Sequence, residues 1–347
     1  MINTLTSLRI FFALMVFGAH CYGIDSSFDA HFFKEGFVGV SFFFVLSGFI
    51  IAYNYQEKLL EKTATKRTFW VARLARIYPL HLLTLLIAVC IGGYVQYSGT
   101  ADWIKHFAAS TFLLQPFFPS ADYFFSFNSP SWSLGCEQLF YLLFPFLVLL
   151  FYKKQRLVGV LLVCAVLVPT LMSLTDEANI RGYWYVNPLA RFPDFLVGML
   201  LYRAYGWCRF KQLSFSTASL LEVGAVCIFL LFYMVSEDLV PKVYRYSCYY
   251  WIPISLVLLI FSLQKGFFSR ILSNKYLVIG GDISYSFYLI HLWVILAYVE
   301  VAQTYDWHIS LYISIPLIFA VTVALSLLSY YYFEKPANRL VKRILNK

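Results

Sequence analysis

Two ionisable side chains near the start of the chain have a spacing that could support chemistry. Arg9 and His20 lie in an apolar stretch and are eleven residues apart. Eleven residues of α-helix make about three turns, so both side chains would face the same way, about 16 Å apart along the axis. An imidazole can serve as a general base, and a fixed cation can anchor an anionic group or balance buried charge. A lone histidine in an apolar helix is more often structural than catalytic. Because His20 lies on the same helix face as Arg9, a structural role and a catalytic role are equally good interpretations.

A carboxylate could complete this chemistry. Glu137 lies in the segment 129–145, SPSWSLGCEQLFYLLFP, where Pro130 and Ser131 are typical of a helix start. Glu137 would then lie in the first turns of a helix, whose positive end favours a carboxylate. A histidine and a carboxylate at the same depth form a base and the group that orients it, so we predict that Glu137 orients His20. A capping or structural glutamate is the alternative.

A basic cluster could bind a polyphosphate. Arg73 and Arg76 lie in VARLARIYP, and Lys66 and Arg67 precede them. A spacing of three places both arginines on one helix face, where two guanidiniums can grip phosphates bidentately. Spacing alone favours the alternative, in which these basic residues only mark the cytoplasmic end of a membrane span. The chain has no P-loop, no G-x-S-x-G and no H-E-x-x-H motif, and none of its seven cysteines forms a C-x-x-C pair, so we predict no disulfide framework and no metal site.

The composition indicates the elements that must position these residues. Of the 347 residues, 61% are hydrophobic and 13% are charged, about half the charged share of a soluble protein. This excludes an ordinary cytosolic enzyme, a disordered protein and a nucleic-acid-binding module. The formal net charge of +9 comes from basic residues at the ends of apolar runs, where they act as topology signals. The sequence therefore predicts an all-α, polytopic transmembrane bundle.

Walking along the chain gives ten predicted spans. They cover about 7–24, 36–54, 77–98, 134–151, 157–174, 190–206, 217–235, 249–264, 284–301 and 310–333, each near the length that a spanning helix needs. With both termini in the cytoplasm, 21 of the 27 lysines and arginines lie on the cytoplasmic side. This asymmetry is what the positive-inside rule requires of the correct topology. Within the second span, Ser47 and Gly48 are small residues that would let helices approach closely.

Several of these segments together resemble the acyltransferase-3 family of integral-membrane acyltransferases. The resemblance covers about residues 4–340. Arg9 and His20 match the family's R-x10-H signature, and Arg73 and Arg76 match an R-x-x-R. Further similarity lies in GFVGVSFFFVLSGFIIAY (36–53), in the S-L-x-x-E-x-x-x-Y pattern of Ser133, Leu134, Glu137 and Tyr141, in GDISYSFYLIHLWV around His291, and in YYYFEKPANR near the C-terminus.

The resemblance implies a function and an organisation. Members of the family move an acyl group, usually acetyl from cytoplasmic acetyl-CoA, to hydroxyls of surface glycans or lipid-linked saccharides. The chain would be a single membrane domain with a core of about 4–340, without an appended soluble domain, in a bacterial inner membrane. Its partners would be acyl-CoA, the saccharide acceptor and membrane lipids, with no nucleic acid and no metal.

The resemblance and the spacing together assign roles to the site residues. His20 would be the general base, Glu137 would orient it, and Arg9 would anchor the pantetheine arm or balance charge. Arg73 and Arg76 would hold the phosphates of acetyl-CoA. The assisting basic residues would be Lys66 and Arg67, and the predicted substrate-binding residues are Trp132, Ser133, Tyr141 and Arg191. An acyl-histidine intermediate is the alternative to direct transfer, and His291 is interpreted as structural.

Two other classes of protein share the polytopic build. A transporter or flippase of a lipid-linked saccharide would carry an internal repeat with paired broken helices, and the two halves of this sequence share no motif. A scaffold would bind without turnover, which the combination of Arg9, His20 and Glu137 disfavours. Labelled acetyl-CoA separates the three, because turnover indicates an enzyme, binding alone a scaffold, and no binding a transporter.

Overall fold

The computed structural model describes residues 2–21, 24, 31–91, 97–307 and 309–345, and every regular element in these ranges is helical. The longer helices are α1 (Asn3–Cys21), α2 (Val38–Leu60), α3 (Lys66–Ile91), α4 (Thr100–Thr111), α5 (Trp132–Leu150), α6 (Lys154–Ser173), α7 (Pro188–Cys208), α8 (Phe215–Leu239), α9 (Trp251–Ser262), α10 (Lys275–Thr304), α11 (Leu311–Leu328) and α12 (Lys335–Leu345). Short α-helical segments lie at His31–Lys34, Ala121–Phe124, Lys242–Arg245 and Phe267–Leu272. Tighter 3₁₀ turns lie at Gln115–Phe117, Ser129–Ser131, Glu177–Asn179 and Cys248–Tyr250, and wider π turns at Arg181–Val186 and Ser329–Glu334.

Eight helices of the described chain are long and apolar enough to cross a membrane. They correspond to eight of the ten predicted spans. The predicted span 190–206 is helical as α7, but it carries two buried charges, and the predicted span 249–264 is the shorter α9, which belongs to the apolar helix Cys248–Ser262. The predicted ends of the first and third spans include residues 22–23 and 92–96, which lie outside the described residues. The protein is therefore a multi-span membrane protein, while ten spans and cytoplasmic termini stay predictions.

Helix α1 lies inside the bundle, in contact with α2, α9 and α10. Its Phe12 ring stacks on Phe42 of α2 with centroids 3.6 Å apart. On the α10 side, an added Cβ at Gly281 would lie 1.8 Å from the Thr6 carbonyl oxygen, so only glycine permits this approach. Because helices surround α1, its polar side chains face protein interior rather than lipid.

Helices α2 and α7 approach through two glycines, of which the sequence analysis singled out Gly48. A Cβ at Gly48 would lie 2.0 Å from the Phe195 carbonyl oxygen, and one at Gly198 would lie 2.0 Å from the Val45 carbonyl oxygen. Since lipid and core side chains are equally apolar, close van der Waals packing of this kind is what holds membrane helices together. The predicted packing role of Gly48 is confirmed.

Replacing Gly198 with alanine is expected to destabilise the protein by about 1–3 kcal/mol, because the new methyl group meets backbone that cannot move aside. Thermal unfolding of the detergent-solubilised protein measures this. The matched control is Gly206→Ala in the same helix, where an added Cβ has no neighbour within 4 Å; the helix propensity of alanine predicts unchanged or slightly higher stability there. Equal stability of the two variants would contradict the close-packing interpretation.

Candidate active site

One cavity lies beside the N-terminal half of α1 and is named here the Arg9 cavity. It has a volume of about 550 Å³, and its lining includes Arg9, Arg73, Arg76, Glu137 and Tyr141. Within it, the Tyr141 hydroxyl donates a hydrogen bond of 2.7 Å to Glu137 Oε2, one helical turn away. The lining also includes Asp282, so three guanidiniums face two carboxylates in this cavity. The excess of guanidiniums makes it a site for an anionic, polar molecule.

The two arginines of the R-x-x-R pair differ in their partners. Arg76 forms an ion pair with Glu334, whose other oxygen accepts a hydrogen bond of 2.8 Å from Ser286. Arg73 lies over the ring of Tyr55 at 5.3 Å, and its Nε has no hydrogen-bond partner among the described residues. The charge of Arg76 is therefore compensated by the protein, whereas Arg73 has donor capacity left for a ligand.

The other two predicted donor-binding residues lie away from the cavity lining. Lys66 lies over the Phe146 ring at 4.2 Å, and Arg67 donates a hydrogen bond of 3.0 Å to the Leu345 carbonyl oxygen of α12. Lys66 therefore contacts α5 and Arg67 contacts α12, and neither lines the Arg9 cavity.

A second cavity lies beside the C-terminal end of α1 and is named here the His20 cavity. It has a volume of about 460 Å³, and its lining includes His20, Trp132, Arg181 and Tyr185. The side chain of Trp132 is 3% exposed, so it forms an inner wall rather than a ring at the membrane–water interface. The cavity brings together an imidazole, a guanidinium and two aromatic faces, a combination suited to an acceptor with hydroxyls and rings.

The predicted pairing of His20 with Glu137 does not occur. His20 Nδ1 lies 3.1 Å from His291 Nε2 and 3.0 Å from the Val16 carbonyl oxygen, and the carboxylate bonds to Tyr141 in the other cavity. The reason is depth. The helix start predicted at Pro130 and Ser131 agrees with the observed start of α5 at Trp132. The depth of this helix beside α1 was wrong, because Glu137 lines the cavity of Arg9 and not that of His20.

The two cavities share one wall. Tyr288 of α10 lines both, and its hydroxyl accepts a hydrogen bond of 2.9 Å from Ser133 Oγ. Ser133 lines the Arg9 cavity while its neighbour Trp132 lines the His20 cavity. The cavities therefore follow one another along α1, with the Ser133–Tyr288 pair between them.

Arg191, a predicted substrate-binding residue, lines neither cavity. It is fully buried, pairs with Asp194 at 3.0 Å and donates to Ser41 Oγ at 2.7 Å. Asp194 also accepts from Ser247. These contacts join α7 to neighbouring segments, so the structure gives Arg191 a place in the packing of the bundle.

Sequence reasoning missed three residues that the structure brings to the site. Tyr288 and His291 lie in the α10 segment that the resemblance identified, and an ionisable residue within a span was the available signal for His291. Arg181 follows a helical turn at Glu177–Asn179 and carried no signal, because nothing in its local sequence shows that it reaches the cavity. In the described part of the chain, no three His, Cys, Asp or Glu side chains cluster as metal ligands would.

The fold and the two cavities define a multi-span helical membrane protein with a buried histidine and an arginine-lined cavity on one helix. A family described as the acyltransferase domain matches residues 2–331. The chain belongs to this acyltransferase-3 family and is an acyltransferase. This membership favours the transferase over the transporter and the scaffold.

Relatives in several bacteria share the domain. The chain is 28% identical to acyltransferase MdmB of Streptomyces mycarofaciens, over 84% of this chain and 78% of that one. It is 29% identical to "Putative peptidoglycan O-acetyltransferase YrhL" of Bacillus subtilis, over 96% of this chain and 54% of that protein. Identity to "Putative O-acetyltransferase SACOL0978" of Staphylococcus aureus is 26%, over 90% and 54%. The chain thus spans about half the length of the last two relatives, and no solved structure matches it.

Proposed function

We propose that this protein moves an acetyl group from acetyl-CoA to a hydroxyl of a glycan or lipid-linked saccharide in the bacterial inner membrane. The observation that carries the proposal is that two cavities lie one after the other along α1. Arg9 lines the first and His20 lines the second, and Tyr288 lines both. The glycan acceptor is supported by the relative in Bacillus subtilis, whose name specifies peptidoglycan.

The Arg9 cavity fits a donor that carries phosphates. Arg73 is half-buried and has a buried Nε without a hydrogen-bond partner among the described residues, and guanidiniums bind phosphate oxygens bidentately. Arg9 lies between this end and His20, so its charge is placed to hold a polar arm that extends along α1. Glu137 and Asp282 line the same cavity as the arginines, where the two carboxylates offset part of the positive charge when the cavity is empty.

His20 performs the proton transfer in this proposal. Its imidazole accepts the proton of the acceptor hydroxyl while the hydroxyl oxygen bonds to the carbonyl carbon of the thioester. The carbon–sulfur bond breaks, and the imidazolium returns the proton to the departing thiolate, so the products are the acetyl ester and CoA thiol. The aromatic walls of the His20 cavity, Trp132 and Tyr185, offer faces on which a sugar ring can stack.

Replacing Arg73 with alanine is expected to raise the Kd for acetyl-CoA about tenfold or more, because a charge-assisted hydrogen bond contributes roughly 1.5–3 kcal/mol. Isothermal titration of the detergent-solubilised protein with acetyl-CoA measures this change. Arg156→Ala removes an exposed arginine of α6 and is the matched control. Arg76 is a poorer probe, because its removal leaves the buried Glu334 without its cation. If the Arg73 and Arg156 variants bind equally well, the donor site lies elsewhere.

The acceptor is tested in the producing bacterium. Surface glycans and lipid-linked saccharides from cells with and without the gene are compared by mass spectrometry, and loss of an acetyl increment of about 42 Da identifies the acceptor. Loss of a heavier acyl group would show that the donor carries that acyl group instead of acetyl. No change in any saccharide, together with acetylation of some other hydroxyl compound by the purified protein, would contradict the glycan acceptor.

A further inference from the structure

His291 of α10 has a rigidly held ring next to the proposed base. It is 1% exposed, and its ring lies parallel to Phe287 and edge-on to Phe17. Its Nδ1 lies 2.8 Å from the Tyr288 carbonyl oxygen and 3.2 Å from the Phe287 carbonyl oxygen. Both ring nitrogens of His291 therefore have a hydrogen-bond partner, because Nδ1 contacts backbone carbonyl oxygens and Nε2 contacts His20.

The partners decide which nitrogen of His291 carries hydrogen. A carbonyl oxygen only accepts hydrogen bonds, so Nδ1 of His291 is the N–H donor. A neutral imidazole has one N–H, which leaves Nε2 of His291 as an acceptor. This assignment follows from the positions of heavy atoms and from the chemistry of the carbonyl group.

The same reasoning extends to His20. Its Nδ1 is 3.1 Å from the accepting Nε2 of His291 and 3.0 Å from the Val16 carbonyl oxygen. Both neighbours accept, so Nδ1 of His20 must carry the hydrogen. The other nitrogen, Nε2, is then left with its lone pair, which is the form that a general base requires.

We propose that His291 is a positioning residue that holds His20 in the tautomer with an unprotonated Nε2. This inference rests on the proposed role of His20 as the base. When His20 takes a proton, its Nδ1–H bond to His291 stabilises the resulting imidazolium, as the carboxylate does in a Ser-His-Asp triad. A neutral histidine does this without placing a negative charge in the apolar part of the protein, where burying a carboxylate would be costly.

The test compares two substitutions at position 291. His291→Gln places an amide oxygen where Nε2 was and can still accept from His20, whereas His291→Phe keeps the ring and loses the acceptor. Transfer of labelled acetyl from acetyl-CoA to membranes of the producing bacterium lacking the gene gives kcat and the KM for acetyl-CoA. We expect the Phe variant to lose between about tenfold and a hundredfold in kcat, the Gln variant to lose clearly less, and KM to stay unchanged in both.

A second measurement does not depend on activity. In protein labelled with ¹⁵N-histidine, the six histidines give nitrogen resonances that report the tautomer, and the His20→Gln variant identifies those of His20. The wild type should show His20 protonated at Nδ1. In the Phe variant the Val16 carbonyl oxygen still accepts from Nδ1 but the acceptor on His291 is lost, so we expect part of His20 to appear as the Nε2–H tautomer. An Nε2–H tautomer in the wild type, or equal kcat losses in the Gln and Phe variants at equal folded yield, would overturn the inference.

The two readouts also separate this inference from the proposed function. If the nitrogen spectra show the expected tautomer and its loss in His291→Phe, but His20→Gln transfers acetyl normally, the tautomer assignment stands and the assignment of His20 as the base fails. If His20→Gln is inactive while the spectra of wild type and His291→Phe are identical, the base assignment stands and the role of His291 fails.

Discussion

Replacing His20 with alanine is expected to lower the rate of acetyl transfer by about 10²–10⁴-fold, the usual contribution of a general base. The reason is geometric as well as chemical. His20 is the imidazole that lines the cavity at the C-terminal end of α1, and His291 behind it has both ring nitrogens engaged. The rate is measured with labelled acetyl-CoA and membranes of the producing bacterium lacking the gene. The KM for acetyl-CoA should change little, because the proposed binding site for the donor phosphates is the Arg9 cavity.

Two variants control for folding. His20→Gln keeps most of the side-chain volume and should be as inactive as the alanine variant. His106→Gln makes the same change in α4, where the histidine bonds to its own helix and stacks on Tyr123, and it should retain activity. Nearly normal transfer by well-folded His20→Ala protein would show that the base is another group.

Replacing Arg191 with methionine should cause the largest loss of stability, roughly 3–5 kcal/mol, because it leaves a buried carboxylate without its cation. Both members of the Arg191–Asp194 pair are fully buried. Asp194 also accepts hydrogen bonds from Ser247 and from the Trp251 indole, so it cannot turn toward water. The midpoint of thermal unfolding in detergent measures the loss.

The controls test whether charge is the cause. Arg209→Met makes the same substitution at an exposed position of the same region and should have little effect. The double variant Arg191→Met with Asp194→Asn removes both charges, and it should recover part of the lost stability. Equal stability of the Arg191 and Arg209 variants would contradict this account. A raised KM in a folded Arg191 variant would restore its predicted role in substrate binding.

Features that depend on local sequence were predicted well. Each of the ten predicted spans overlaps a helix in the described part of the chain, and eight of these helices meet the length and apolarity of a membrane span. Helix α1 contains both Arg9 and His20. Their separation along the axis was predictable because it follows from the helix pitch alone, and each of the two residues lines a cavity. The R-x10-H and R-x-x-R patterns also led to the acyltransferase family that the comparison confirmed.

Features that depend on neighbouring helices were not predicted. The partner of Arg76 is Glu334, 258 residues later, and the partner of His20 is His291, 271 residues later. Glu137 was assigned to His20 because both were placed near the outer side of the membrane. The predicted helix start agrees with α5, but how deep α5 lies beside α1 is set by packing between helices, which local sequence does not record.

The sequence by itself determined a helical membrane protein and placed a cation and an imidazole on one helix, because composition, period and spacing are properties of contiguous chain. The acyltransferase activity came from the resemblance of its motifs to a known family. Tertiary structure alone decided that Arg9 and His20 line different cavities, that Tyr288 lines both, and which group bonds to each ionisable side chain. Those choices depend on how closely helices pack. In this bundle that distance is governed by glycine contacts such as Gly281 on Thr6, between residues whose proximity no local pattern records.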